Sequence, residues 1–208
     1  YTYNGFDLLT VTDNIGTEWT YAYTDTNNPH SPTTITDGGG RTWTRTYNQY
    51  GQVLTVVPPT GSPMGTTTYE YEETSTDPAF GYLRKITNGA GNEETFDAYS
   101  PLGDLLERTT SPSSGVTNTT TYTYDASRRM TSVENPDSTT VTWSYLGRLL
   151  DSTTDEAGTL TEFEWTSATE QLASVSGPLS HELNWTYNNS RQVSNFSDAR
   201  TNSTTYTY

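Results

Sequence analysis

The chain has 208 residues, a formal net charge of -15 from 10 Lys+Arg against 25 Asp+Glu, and no cysteine. No basic stripe is present to neutralise phosphates, which excludes nucleic acid and anionic membrane surfaces as partners, and the missing cysteine excludes disulfides and thiol chemistry without fixing the compartment. Only 30% of the residues are hydrophobic, so burial falls to the 5 Trp and 16 Tyr, each of which covers about 150 to 250 Å² when buried.

Taken in chain order, one pattern recurs. Tyr1/Tyr3 opens a series of aromatic pairs written Y-x-Y, with Tyr, Trp or Phe at either end, and Asp13-Asn14-Ile15-Gly16 follows as a turn. Next come Tyr21/Tyr23, an insertion from Pro29 to Pro32, and the turn Asp37-Gly38-Gly39-Gly40. Tyr47 is a single-aromatic member whose hairpin continues through Gly51, Val53 and Val56, followed by an insertion from Pro58 to Gly65. Tyr69/Tyr71, an insertion from Thr74 to Phe80 and the turn Asn88-Gly89-Ala90-Gly91 lead to Tyr99, again a single aromatic, with Gly103 and Leu105 after it. A further insertion is read from Ser111 to Gly115. Then follow Tyr122/Tyr124, Trp143/Tyr145, Phe163/Trp165, Trp185/Tyr187 and Tyr206/Tyr208.

Around the later pairs the side chains alternate. Thr119, Thr121 and Thr123 interleave with Thr120, Tyr122 and Tyr124, and Glu162 and Glu164 with Thr161, Phe163 and Trp165. A period of two in β-branched and aromatic residues predicts strands with one covered and one wet face. Gly, Asp and Asn between them predict hairpin turns, because Gly adopts positive φ without steric cost and Asp or Asn bonds to its own backbone. The ten anchors Tyr3, Tyr23, Tyr47, Tyr71, Tyr99, Tyr124, Tyr145, Trp165, Tyr187 and Tyr208 are 20 to 28 residues apart. Such self-similarity marks an array whose units cover their apolar faces only against neighbours. The expected fold is all-β: tandem β-hairpin repeats forming one continuous spiralling antiparallel sheet, a single array over residues 1–208 of about nine units without an internal boundary. The anchors, with Trp143, Phe163 and Trp185, are its expected structural core.

The segment Tyr122-Thr123-Tyr124-Asp125-Ala126-Ser127-Arg128-Arg129-Met130, the start Tyr1-Thr2-Tyr3-Asn4 and the step Gly147-Arg148-Leu149 resemble the YD repeat of Rhs proteins, insecticidal toxin-complex shells and teneurins. The resemblance covers essentially the whole chain. It implies hairpins paired edge to edge into a spiralling sheet, which in large members wraps a hollow shell around a polypeptide. The chain departs from the pattern where Asp after the anchor is replaced by Asn4, Thr24, Asn48, Glu72, Ser100, Leu146, Thr166 and Asn188. The autoproteolytic motif that ends toxin-carrying shells is not found, so no catalytic or binding residue carries over.

Chemical motifs are sparse. His30 sits in the Asn28–Pro32 insertion and His181 beside Glu182, with no H-E-x-x-H, phosphate loop or nucleophile elbow. No catalytic, metal or cofactor site is expected, the acidic turns lack calcium-loop spacing, and the chain is not expected to be an enzyme. N-x-S/T acceptors at Asn118, Asn184, Asn188, Asn195 and Asn202 arise at about the rate that chance gives in so hydroxyl-rich a sequence. No apolar run spans a bilayer and no signal peptide is evident. The first and last Y-x-Y pairs share one phase, which predicts an excerpt of a longer array or a unit that adds end to end to further copies. The sequence therefore points to a structural segment of a large extracellular or cell-surface protein building a tube, fibre or stalk. The alternatives are part of a shell enclosing a toxin polypeptide, or a carbohydrate-binding adhesion module recognising surface glycans through Trp19 or Trp185.

Overall fold

The computed structural model describes residues 1–113 and 115–208. The chain is all-β, with nineteen strands, antiparallel throughout, and no α-helix among the described residues. It falls into two compact units, 1–118 and 119–208. Ser114 of the predicted Ser111–Gly115 insertion lies outside the described residues.

In the first unit the strands are β1 Thr2–Asn4, β2 Asp7–Thr12, β3 Glu18–Ala22, β4 Thr34–Thr36, β5 Thr42–Tyr47, β6 Val53–Val57, β7 Thr67–Tyr71, β8 Leu83–Thr87, β9 Glu93–Tyr99 and β10 Leu105–Ser113. Each of β1 to β9 pairs with its successor, as in Tyr21↔Ile35, Ile35↔Trp43 and Tyr69↔Ile86. Ser111, Pro112 and Ser113 belong to β10, correcting the reading of that stretch as a loop insertion. Proline is accepted where the strand is near its end.

The second unit contains β11 Val116–Tyr124, which starts just before it, then β12 Met130–Glu134, β13 Thr140–Leu146, β14 Leu149–Thr154, β15 Leu160–Trp165, β16 Leu172–Ser176, β17 Glu182–Tyr187, β18 Val193–Asp198 and β19 Ser203–Thr205. The same meander repeats: Tyr122↔Val133↔Val141, Phe163↔Val175↔Leu183 and Trp185↔Phe196↔Thr204 form a ring-and-aliphatic stripe across successive strands. The opposite face carries hydroxyls that bond across strands, including Thr46–Thr55 at 2.7 Å, Thr123–Ser132 at 2.6 Å and Ser144–Ser152 at 2.8 Å. Cross-strand pairs of this type stabilise a sheet by about 0.2–1 kcal/mol each, which accounts for a Thr-rich chain choosing strands.

Packing is thin. Ala79 is the one buried apolar residue among the described residues, and no large side chain is fully covered. The rings of the stripe are half-buried, so the sheet is stabilised by neighbour-to-neighbour contacts rather than by a deep core.

Candidate functional site

The turns are built from one local rule. In Asp13, Asp37, Asn48, Asn88, Asp125, Asp155, Asn188 and Asp198 the side-chain Oδ1 accepts the backbone N–H of the residues two and four positions on, for example Ser127 at 2.8 Å and Arg129 at 3.0 Å onto Asp125. The third position on is left-handed: Gly91 has φ 81° and Gly158 φ 78°, but Arg128, Arg191 and Thr201 take φ 64°, 63° and 65° without the help of glycine. The carboxylates of Asp13, Asp37, Asp125 and Asp198 are held below their ordinary range. In Asp37 and Asp125 the main cause is the hydrogen bond from Arg41 or Arg129, and in Asp13 the backbone N–H of Thr17. Asp37 is 6% exposed, yet its cover is the polar backbone of its own turn and Arg41, so little of its hydration goes uncompensated.

Seven anchors share a geometry that their spacing did not announce. The ring donor reaches back to a carbonyl of the preceding hairpin: Tyr23 to Leu8 at 2.9 Å, Tyr47 to Pro32 at 2.7 Å, Tyr71 to Val53 at 3.1 Å, Tyr99 to Leu83 at 2.6 Å, Tyr145 to Met130 at 2.9 Å, Trp165 Nε1 to Leu150 at 2.7 Å and Tyr187 to Leu172 at 2.7 Å. Six of these acceptors are the residues opposite the previous anchor, as in Met130↔Tyr124, Leu150↔Tyr145 and Leu172↔Trp165. At each such pair the register slips by one residue, skipping for instance Thr131, Asp151 and Ala173. A bulge leaves backbone out of the ladder, and the next anchor supplies the donor there. Partial desolvation raises the phenols of Tyr23, Tyr71 and Tyr99 above the usual tyrosine range, with the charge of Asp7 adding to it at Tyr23.

Of the expected core residues, Tyr23, Tyr47, Tyr71, Tyr99, Tyr124, Trp143, Tyr145, Phe163, Trp165, Trp185 and Tyr187 are half-buried. Tyr3 and Tyr208 are not: they are 59% and 74% exposed, Tyr3 in β1 and Tyr208 past β19. Tyr99 is not a single aromatic either. The register skips Asp97 and brings Phe96 opposite Arg108, so a ring fills the strand's first slot three residues before the anchor. Side chains also stitch successive turns. Asn28 donates to the Asn48 carbonyl at 3.0 Å, Gln52 to Gly81 at 2.6 Å, Gln171 to Arg191 at 2.9 Å, and Arg129 to Gly147 while lying 4.2 Å over the Tyr145 ring.

His30 meets Asp7 at 2.9 Å across two hairpins, and His181 is exposed. Among the described residues no three His, Asp or Glu side chains converge to hold a metal, and no helix is long and apolar enough to cross a membrane.

A model of the teneurin YD-shell family matches residues 1–208. The chain belongs to the teneurin YD-shell family. In fold the chain is also similar to solved structures: TcdB2-TccC3-TEV at 14% identity and TM-score 0.55, TcdB2-TccC3 without its hypervariable C-terminal region at 13% and 0.57, and the Photorhabdus luminescens Tc holotoxin pore at 13% and 0.55. In each case 91% of this chain is covered, and it spans 12% of the other. No curated protein sequence matches. The YD-shell chain is therefore a structural repeat segment.

Proposed function

We propose that the chain is a wall segment of a shell, secreted or displayed at the cell surface, that encloses a polypeptide. Its work is mechanical rather than catalytic. The observation that carries this reading is the ring stripe: seven anchors are fixed to the preceding hairpin, yet none of the stripe's rings is fully covered. A filled fibre or stalk would pack that stripe against a second layer, whereas a one-layer wall leaves it facing a compartment. Membership of the YD-shell family supports the same choice. Cryo-electron microscopy of the native full-length protein tests it: a hollow particle with polypeptide density inside is expected, and a solid filament contradicts it.

A further inference from the structure

The sequence holds two Asn-Gly steps, Asn4-Gly5 and Asn88-Gly89, and the fold treats them in opposite ways. An asparagine before a glycine carries its own reactive pair: rotation about its backbone brings the next nitrogen onto the side-chain amide carbon, and glycine has no Cβ to block the approach. At Asn88 that rotation is closed. Its Oδ1 accepts the N–H of Ala90 and of Asn92, each at 3.0 Å, which fixes the side chain in the turn. Gly89 also lies backbone to backbone against Gly65, so turning the peptide between Asn88 and Gly89 would push two connections apart. At Asn4 the pair is not held. Asn4 is exposed at the end of the three-residue β1, and its side chain makes no hydrogen bond among the described residues. Gly5 takes φ 65° in the two-residue turn Gly5-Phe6, with open space where a Cβ would lie, and Phe6 is 96% exposed.

We propose that Asn4-Gly5 is a site of spontaneous covalent modification, and that Asn88-Gly89 is kept unreactive by its turn. The Gly5 nitrogen gives up its proton to hydroxide and bonds to Asn4 Cγ. The bond from Cγ to Nδ2 breaks, and the amide nitrogen leaves as ammonia with a proton from water. The five-membered imide that results is opened by water at either carbonyl. Opening at Cγ gives aspartate; opening at the main-chain carbon gives isoaspartate, whose chain runs on through the former side chain. Both products put a carboxylate at position 4, opposite Asp7, and like charges facing each other across a strand pair are destabilising. Isoaspartate also lengthens the main chain, against the register that sets Asn4 opposite Asp7 and Tyr3 opposite Leu8. The Leu8 carbonyl is the acceptor of the Tyr23 anchor at 2.9 Å. Modification therefore loosens the β1–β2 hairpin to which that anchor is tied, and it stands independently of the shell reading.

The test is incubation of the folded 208-residue chain in mildly alkaline buffer, followed by peptide mapping. Mass spectrometry reads the exchange of an amide for a carboxyl at each asparagine, and labelling by isoaspartyl methyltransferase reads the isomer. Asn4 is expected to convert about tenfold faster than Asn88, a ratio equivalent to about 1.4 kcal/mol of barrier. In denaturant the two rates should converge, and Asn4→Gln should remove the fast isoaspartyl signal from the folded protein. Hydrogen exchange on the modified protein should be faster in β2 and unchanged in β17 and β18. Equal conversion of Asn4 and Asn88 in the folded protein, or an Asn4 that stays intact, overturns the site. Rates that stay apart in denaturant overturn the protection given by the turn at Asn88, and unchanged exchange in β2 overturns the loosening.

Discussion

Tyr21 and Tyr23 point to the same side of one hairpin, yet only the Tyr23 hydroxyl has a backbone acceptor. Tyr23→Phe should therefore destabilise the protein by about 1–3 kcal/mol, the cost of leaving the Leu8 carbonyl unpaired, while Tyr21→Phe stays within about 0.5 kcal/mol. Chemical denaturation of both variants checks this. The turns give a second residue-scale prediction. Thr201 holds φ 65° where other turns use glycine, so Thr201→Gly should stabilise by a few tenths to about 1 kcal/mol, net of the extra freedom glycine gains when unfolded. Gly91→Ala, with φ 81° and open space around its Cβ, should cost about 1–2 kcal/mol from backbone strain alone. The sequence carried the turn rule plainly in its Asp/Asn-x-x-Gly spacing. It did not carry the tether, because a Tyr whose hydroxyl bonds a carbonyl 15 residues earlier has the same letter as one that only fills the stripe.

At the scale of the hairpin, alternation and turn residues located the strands, and the resemblance to YD repeats supplied their pairing order. Two features escaped. Phe96 and Tyr99 are three residues apart, so the Y-x-Y rule missed a pair that a bulge restores. Ser111, Pro112 and Ser113 read as loop residues but lie in β10, whose pairing with β9 runs as far as Ser111↔Glu93. Gln52 reaches the Gly81 carbonyl at 2.6 Å, 29 residues away, and Gln52→Leu should lower stability by about 1 kcal/mol in thermal unfolding by losing that stitch. The connections on the other side of the sheet touch backbone to backbone: a Cβ on Gly89 would lie 2.1 Å from Gly65 Cα. Gly89→Ala should thus be more damaging than Gly91→Ala in the same melt, since it forces two turns apart.

At the scale of the whole chain, the titrating groups define a stability window. Asp13, Asp25, Asp37, Asp125, Asp137 and Asp198 are all held below the ordinary carboxylate value by hydrogen bonds. Their contribution is complete above about pH 3.9 and is lost as the pH falls through the folded values. Tyr23, Tyr71 and Tyr99 are raised, so theirs is complete below about pH 10 and is lost as the pH rises through the folded values. Melting temperature against pH should be flat between these limits and fall on both sides.

The account depends on each of the seven tethered anchors fastening its own hairpin to the one before it, and hydrogen exchange on the Tyr145→Phe variant tests that most directly. Removing the 2.9 Å bond to the Met130 carbonyl should speed amide exchange in β12, β13 and β14 while leaving β17 and β18 unchanged, as expected when coupling runs between nearest neighbours. Exchange unaltered in β12–β14, or raised equally in every strand, would contradict it.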